Sequence, residues 1–376
     1  MQMKDKGQDY IYFPASTIQE IKDEIIMSLL EMNGLVKANI HTGLVQFIDF
    51  FEGESTIYQL HSKSVLYQDK VFFLPWNAKR IAIYDTTNKS LQYIDTNNDE
   101  KPGRYIDYLR DGRYVYLLSD REWQIECLDM ETEKIITSYQ LIDDYKHIGN
   151  ILIANNGYTY GLITNTNQIW TFDIYSKQYV KSGKLFNQKI VLIAGCMGDN
   201  CIWMVSDSCV IYQMLLDGNC LKQYDMASIL DSLFKSVNIG AISCYFRRSK
   251  LTIILYDKNC IIEIPVINNT LTIEKYNYRI FNKSLFFIDE KELEVMTENK
   301  LIFYEDTLEK ELVLESESDF FINYMEKSNY KLNEQNTNST RLYNLIEFVC
   351  ENEKYSLCKE NLQNGNIGKR ILNMCK

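Results

Sequence analysis

An aspartate recurs at a fixed interval in the first two thirds of the chain, each time at the end of a short apolar segment. The four segments cover residues 81–85, 125–129, 169–173 and 213–217, and they end at Asp85, Asp129, Asp173 and Asp217. Successive aspartates are 44 residues apart. A constant spacing over four units indicates an internal repeat, in which each unit buries its apolar surface against its neighbours.

Each unit contains four short β-rich runs separated by polar turns. In the unit that ends its third run at Asp85, the runs are residues 64–67, 71–74, 81–85 and 91–94. Four short strands in a unit of this length are typical of a β-propeller blade. Less regular units extend the pattern upstream to residue 25 and downstream to residue 304. We therefore predict an all-β fold, a seven-bladed β-propeller of four-stranded antiparallel blades.

The ends of the chain set the predicted domain boundaries. The first blade lacks an innermost strand, and residues 320–324 are predicted to supply it, which would close the ring and remove an open sheet edge. The predicted organisation is an N-terminal segment over residues 1–24, the propeller over residues 25–326, and a linker with a C-terminal helical tail over residues 327–376. A further short helix is expected over residues 225–235, where apolar residues have helical spacing.

The N-terminal segment itself is predicted to hold a short helix. Ser16 and Gln19 have the spacing of a capping box, and Ile18, Ile21 and Ile25 share one helical face. We expect this helix to end near residue 23, because a helix that continued through Ile25 would remove a strand from the first blade.

The third run, with its terminal aspartate before the outer strand, resembles the third strand of WD40-like and quinoprotein-like propeller blades. The resemblance covers about residues 25–324. The Gly-His and Trp-Asp pairs of true WD40 repeats are absent, so the resemblance implies an architecture and carries over no functional residue.

Composition and charge restrict the ligands and the cellular location that we expect for the protein. The 376 residues carry a net charge of -11, which disfavours binding to nucleic acid and to anionic membranes. The polar N-terminus lacks the apolar core of a secretory signal, so we expect a cytoplasmic protein. A chain rich in Ile, Lys, Asn and Tyr is typical of AT-rich bacterial genomes.

The ten cysteines are widely spaced and the histidines number only three, so reduced thiols, no metal and no cofactor are expected.

Two groups of residues are candidates for ligand binding. The first lies in the predicted loops between second and third strands, which share one face of a propeller: Trp76, Arg80, Asp120, Arg121 and Trp123. Two exposed indoles beside charged groups would hold a sugar ring or a peptide side chain. The alternative is that each tryptophan packs over the edge of its own blade.

The second group lies at the start of the predicted innermost strands. His61, Arg104 and His147 precede the aspartates of their blades by 24, 25 and 26 residues, so all three would face one channel mouth. Such a basic trio would bind an anion or take part in acid-base chemistry. The alternative is three solvated loop positions.

The leading functional hypothesis is a non-catalytic intracellular propeller that acts as a binding or assembly module for a protein or peptide. The alternative is a propeller that binds a sugar or small molecule at the channel mouth, including as the substrate of a lyase or hydrolase. No catalytic residue is identified from the sequence.

Overall fold

The computed structural model describes twenty stretches of the chain, and every structural statement below concerns them. They are residues 15–29, 33–54, 59–96, 104–119, 123–140, 151–155, 159–164, 168–184, 192–198, 201–208, 210–215, 220–226, 242–247, 249–255, 260–268, 270–280, 284–288, 291–295, 300–305 and 308–316. These stretches are organised in two compact units, one made of Met1–Ile106 with Asn282–Lys376 and the other of Asp107–Phe281.

The described residues of the first unit form three sheets. Sheet 1 is formed by β1 (Ala15–Ile21), β2 (Glu24–Leu29), β3 (Leu35–Asn39) and β4 (Leu44–Asp49). Sheet 2 is formed by β5 (His61–Tyr67), β6 (Lys70–Pro75), β7 (Arg80–Asp85) and β8 (Ser90–Asp95). The third sheet of this unit, which is sheet 7 in chain order, is formed by β26 (Ser284–Ile288), β27 (Lys291–Val295), β28 (Lys300–Glu305) and β29 (Leu308–Val313).

The second unit contains four sheets, numbered 3 to 6. Sheet 3 is formed by β9 (Tyr105–Asp111), which begins just before the unit boundary, β10 (Tyr114–Ser119), β11 (Gln124–Asp129) and β12 (Lys134–Gln140). Sheet 4 is formed by β13 (Ile151–Asn155), β14 (Thr159–Thr164), β15 (Gln168–Asp173) and β16 (Gln178–Lys184), and sheet 5 by β17 (Leu192–Met197), β18 (Ile202–Ser206), β19 (Val210–Met214) and β20 (Cys220–Asp225). Sheet 6 is formed by β21 (Ile242–Arg247), β22 (Lys250–Leu255), β23 (Cys260–Ile267), β24 (Thr270–Leu271) and β25 (Asn277–Ile280), with a 3-10 helix at Ile273–Lys275.

The repeated aspartates close the turn between the third and fourth strands, as the sequence predicts. Asp85 ends β7, and its Oδ1 accepts hydrogen bonds from the backbone N–H groups of Thr87 and Asn88, both at 2.9 Å. Asp173 ends β15 and accepts two backbone N–H groups in the same way. The residue four positions later has a left-handed backbone in each such turn: Lys89, Glu133 and Lys177. Asp217 lies outside the described residues.

The first sheet uses the same turn with asparagine in place of aspartate. Oδ1 of Asn39 accepts the backbone N–H groups of His41 and Thr42 at 2.9 and 3.0 Å. Gly43 follows at the fourth position with φ of 71°. The turn chemistry of the repeat therefore begins one unit before the first of the four regular segments.

The predicted N-terminal helix is wrong, because residues 15–21 form strand β1. Ile18 and Ile21 are buried in this strand, and the polar side chains that resemble a capping box bond to neighbouring strands instead. Ser16 Oγ donates to the Ser28 carbonyl at 3.1 Å, and Gln19 Nε2 donates to the Ser64 carbonyl at 2.8 Å. The hairpin to β2 is made at Lys22, which has φ of 54°. Long-range partners thus decide between helix and strand here.

Strand β1 takes the innermost position that the sequence analysis assigns to residues 320–324. It pairs with β2 and lies beside β5 and β26, the first strands of sheets 2 and 7. At the other edge of sheet 1, a two-residue strand β30 (Glu315–Ser316) pairs in parallel with β4. Residues 320–324, the helix expected over residues 225–235 (described only to residue 226) and the C-terminal tail lie outside the described residues.

Neighbouring sheets bury their apolar faces against each other within each unit. In the first unit, one core cluster joins sheets 1 and 2 through side chains such as Ile26, Leu35, Val71 and Phe73. In the second, a cluster joins sheets 5 and 6, and β17 lies between β13 and β21. First strands side by side, with sheet faces packed, are the arrangement of propeller blades. Within the described residues, no helix is long and apolar enough to cross a membrane.

Candidate binding site at Trp76 and Arg104

Trp76 and Arg104 belong to different predicted groups, but the structure brings them together. The Arg104 guanidinium lies over the indole ring of Trp76, with its central carbon 4.9 Å from the ring centroid. Trp76 is partly exposed and Arg104 is exposed. This stacked pair, called the Trp76 platform below, presents an aromatic surface and a cation at the protein surface.

The backbone that carries Trp76 is fixed by a single carbonyl. The backbone N–H groups of Trp76, Asn77 and Ala78 all donate to the Leu60 carbonyl, at 2.7, 3.1 and 3.0 Å. Leu60 is fully buried just before β5, and Ala78 is buried in the same core cluster. The loop between β6 and β7 is therefore held by the chain that enters the sheet.

A buried carboxylate holds the far end of this loop. Both oxygens of Glu54 accept the backbone N–H of Lys79, at 3.1 and 3.0 Å, and Oε1 lies 3.8 Å from Nε of Arg80. Burial raises the pKa of Glu54, although the Lys79 N–H and the Arg80 charge act in the opposite direction. Glu54 thus serves as a structural acceptor for the loop.

Asn33 in turn fixes the segment that carries Glu54. Its Nδ2 donates to the carbonyls of Phe51 and Glu54 at 2.9 and 3.1 Å, and its Oδ1 accepts the N–H of Phe51 at 2.8 Å. Asn33 is 1 % exposed, so this link is made inside the protein. Buried amides that satisfy several backbone groups rigidify the loops they join.

The backbone at the start of β9 positions Arg104. Its backbone is left-handed, with φ of 44°, and Tyr105 immediately follows it as the buried first residue of the strand. Ser62 Oγ on β5 donates to the Tyr105 carbonyl at 2.5 Å. The platform is therefore built from the β6–β7 loop and the start of β9, which β5 holds together.

Arg80, predicted as a ligand-binding residue, is bonded within the protein. Its guanidinium lies 4.0 Å from the ring centroid of Tyr93, and it donates to the Glu52 carbonyl. The Tyr93 hydroxyl accepts the Glu52 N–H at 2.6 Å, and burial raises the pKa of this hydroxyl to about 12. Arg80 therefore clamps residues 52–54 to sheet 2.

His61, predicted to face a channel mouth, is completely buried in the core. Its ring packs edge-on against Phe51, with centroids 4.4 Å apart, and Nδ1 lies 3.0 Å from Ser28 Oγ. Among the described residues, Nε2 has no hydrogen-bond partner. Burial lowers the pKa of His61 to about 3, so the imidazole is neutral at physiological pH. In this position it contacts the core and not the solvent.

The remaining predicted site residues belong to the second unit. Trp123 precedes β11, is partly buried and has φ of 48°. Asp120, Arg121 and His147 lie outside the described residues. The expected neighbourhood of Trp76 and Trp123 therefore stays a prediction. In the described part of the chain, no group of three or more His, Cys, Asp or Glu side chains could hold a metal ion.

Sequence reasoning missed the residues that support the site. Asn33 and Glu54 lie outside the regular repeat, and nothing in their neighbourhood distinguishes them from exposed loop residues. Tyr93 falls in a predicted outer strand, where its contact with Arg80 depends on the packing of segment 52–54. The sequence gives a signal for the two residues of the platform themselves: Trp76 lies in a loop before a third strand, and Arg104 lies at the start of a first strand.

Comparisons with known proteins support the architecture. No family model matches the chain, and no curated protein matches it. Among solved structures, the chain is similar to BamB from Moraxella catarrhalis, with a TM-score of 0.50 at 10% identity over 80% of this chain and 85% of BamB. The computationally designed Ika8 protein aligns with a TM-score of 0.49 at 8% identity, over 82% of this chain and 87% of that one. BamB is a β-propeller, so the likeness and the repeated four-stranded sheets support a β-propeller-like architecture.

Proposed function

We propose that this protein is a seven-bladed β-propeller that binds a protein or peptide partner, and that the Trp76 platform forms part of the binding surface. Each of the seven sheets of the described residues would be one blade. A propeller presents the loops between the second and third strands of its blades at one face, and ligands commonly bind at such a face.

The stacked geometry of Trp76 and Arg104 is the observation that carries the proposal. The Arg104 guanidinium keeps a positive charge beside the indole, and a guanidinium is a good partner for a carboxylate. Tryptophan and arginine are the residues most enriched among the energetic centres of protein interfaces. The platform therefore suits a peptide segment that pairs an acidic group with an apolar or aromatic side chain.

Preorganisation supports the same proposal. The β6–β7 loop is fixed by the Leu60 carbonyl and the Glu54 carboxylate before any partner binds. Ordering a loop on binding costs free energy, so a loop that is already held contributes more of its contact energy to affinity. The burial of His61 counts against its participation in acid-base chemistry at this site, because it does not reach the surface.

Affinity purification from native lysate tests the proposal, with full-length protein as bait. Trp76→Ala and Arg104→Ala remove the two parts of the platform, and Tyr175→Ala removes an aromatic side chain that is 61% exposed in the other unit. We expect a stoichiometric protein partner with wild type and Tyr175→Ala, and a loss of at least about tenfold with Trp76→Ala.

Three results would separate the hypotheses. A partner retained equally by all four baits would place the interface away from the platform. A glycan or metabolite bound in place of a protein, and lost with Trp76→Ala, would favour the ligand-binding alternative. The cytoplasmic location stays a prediction. Cell fractionation would test it by showing in which fraction the native protein is found.

A further inference from the structure

Two buried cysteine side chains lie side by side on neighbouring sheets of the second unit. Cys196 is on β17 of sheet 5 and Cys244 is on β21 of sheet 6, and these two strands are adjacent. The two sulfur atoms are 3.2 Å apart, and the side chains are 5% and 7% exposed. Both are free thiols.

The pairing is not evident from the spacing in sequence. Cys201 is the nearest cysteine to Cys196 along the chain, but its Sγ accepts a hydrogen bond from Gln213 Nε2 at 3.6 Å. Cys244 is 48 residues from Cys196 and is the thiol that its sulfur contacts. Packing of sheet 5 on sheet 6 creates the pair.

The distance suits a covalent link. A disulfide has an S–S length of about 2.05 Å, so the two sulfurs need to approach by roughly 1 Å. The surrounding side chains, including Trp203, Leu251 and Ile253, belong to one apolar core cluster.

We propose that Cys196 and Cys244 are a disulfide-forming pair that links sheet 5 to sheet 6 when the protein meets a small two-electron oxidant such as hydrogen peroxide. One sulfur attacks the peroxide, the O–O bond breaks, and a sulfenic acid and water form. The second sulfur displaces the hydroxyl group of the sulfenic acid, the S–O bond breaks, and the S–S bond forms with release of a second water. Two thiols and one peroxide thus give one disulfide and two water molecules.

The disulfide would raise the stability of the folded protein, and this effect is independent of the proposed binding function. It would close a loop from residue 196 to residue 244, and cross-linking a long loop restricts the unfolded chain. Burial raises the pKa of Cys196, because the thiolate is poorly solvated in the apolar core. The thiolate is the reactive form, so we expect oxidation that is slow near neutral pH and faster as the pH rises.

Peptide mapping of the full-length protein tests the proposal. After treatment with one equivalent of hydrogen peroxide and alkylation of the remaining thiols in denaturant, trypsin releases residues 190–222 with Cys196 and residues 236–247 with Cys244. We expect these peptides to be joined in the non-reduced digest and separated by a thiol reductant. The intact protein should lose two hydrogen atoms in mass.

Matched variants identify the sulfurs. Cys201→Ala should form the cross-link, whereas Cys196→Ala and Cys244→Ala should not. The oxidised wild type should also unfold at a temperature higher by roughly 5 °C, and a reductant should reverse the shift.

Either of two results would overturn the proposal. One is an oxidised wild-type digest without the joined peptides. The other is the same pair of joined peptides in Cys196→Ala, which would assign the bond to Cys201, Cys209 or Cys220, the other cysteines of residues 190–222. The first result needs only the wild-type protein, so it would overturn the proposal even if a variant failed to fold.

Discussion

The carbonyl oxygen of Val313 occupies the place that a Cβ atom on Gly43 would take. Gly43 closes the turn between β3 and β4, and Val313 ends β29 just before β30 pairs with the edge of β4. Leu312 and Leu314 on either side of Val313 are buried. The chain therefore returns to the first sheet through a contact that only glycine permits.

Gly43→Ala should destabilise the protein by about 2–4 kcal/mol, because it combines an unfavourable left-handed backbone with a clash against main chain. Gly112→Ala is the matched control, since Gly112 has φ of 57° but no atom within 4 Å of its Cβ position. The control should cost only about 1 kcal/mol. Urea denaturation measures both values, and equal losses would show that the Val313 contact does not matter.

Asp85→Ala should cost about 1 kcal/mol, because two backbone N–H groups in the β7–β8 turn lose their acceptor. Asp85→Asn keeps an acceptor oxygen and should cost less. The Asn88 N–H is the main group that lowers the pKa of Asp85. Stability from this carboxylate is therefore present above the unfolded pKa of about 3.9 and is lost as the pH falls through the folded pKa. Chemical denaturation of the three proteins at neutral pH, and again through the acid range, would reveal both effects.

Lys89→Gly should stabilise the same turn by up to about 1 kcal/mol. Lys89 has φ of 53°, a conformation that costs a non-glycine residue free energy and costs glycine little. Lys89→Ala keeps the backbone penalty and serves as the control, with little change expected. A thermal melt in which glycine and alanine behave alike would show that the turn is not strained.

The buried neutral His61 should make the protein less stable in mild acid. Its folded pKa is about 3, whereas in the unfolded chain it titrates near 6.5, so the unfolded state alone binds the proton between these values. Its contribution is complete above about pH 6.5 and is lost as the pH falls towards 3, at up to about 1.4 kcal/mol per pH unit.

His61→Phe tests this prediction, because it keeps an aromatic ring beside Phe51 and removes the titrating group. The free energy of unfolding of the variant, measured by urea denaturation from pH 7 to pH 4, should fall less steeply than that of wild type. His41→Gln changes a histidine that is 63% exposed and serves as the control for replacing a surface histidine. Identical slopes in wild type and His61→Phe would mean that His61 becomes protonated in the folded protein.

The sequence predicts the repeated strands well, because that information is local. The third strands end at Asp85, Asp129 and Asp173, and the alternation of apolar runs and polar turns places most other strands within two residues of where they lie. The N-terminal strand was missed because Ser16, Ile18, Gln19 and Ile21 have a spacing that also fits a helix. Only its partners, β2 and β5, distinguish the two.

The candidate site was predicted less well, because spacing in a repeat gives the end of the sheet on which a residue lies but not its burial. His61 is the first residue of β5, whereas Arg104 lies one position before the first residue of β9, and the first side chain is fully buried while the second is exposed. The core around Phe51 and Phe73 encloses His61, whereas Arg104 turns outward over Trp76.

The sequence by itself determined the all-β class, the 44-residue unit and the turn in which Asp85 and Asp173 accept backbone N–H groups, since these depend on residues close together in the chain. The tertiary structure decided which side chains meet: Arg104 with Trp76, Cys196 with Cys244, and Val313 with Gly43. These contacts join residues 28, 48 and 270 positions apart. Their formation depends on how one sheet or loop packs against another, and no local pattern in the chain encodes that packing.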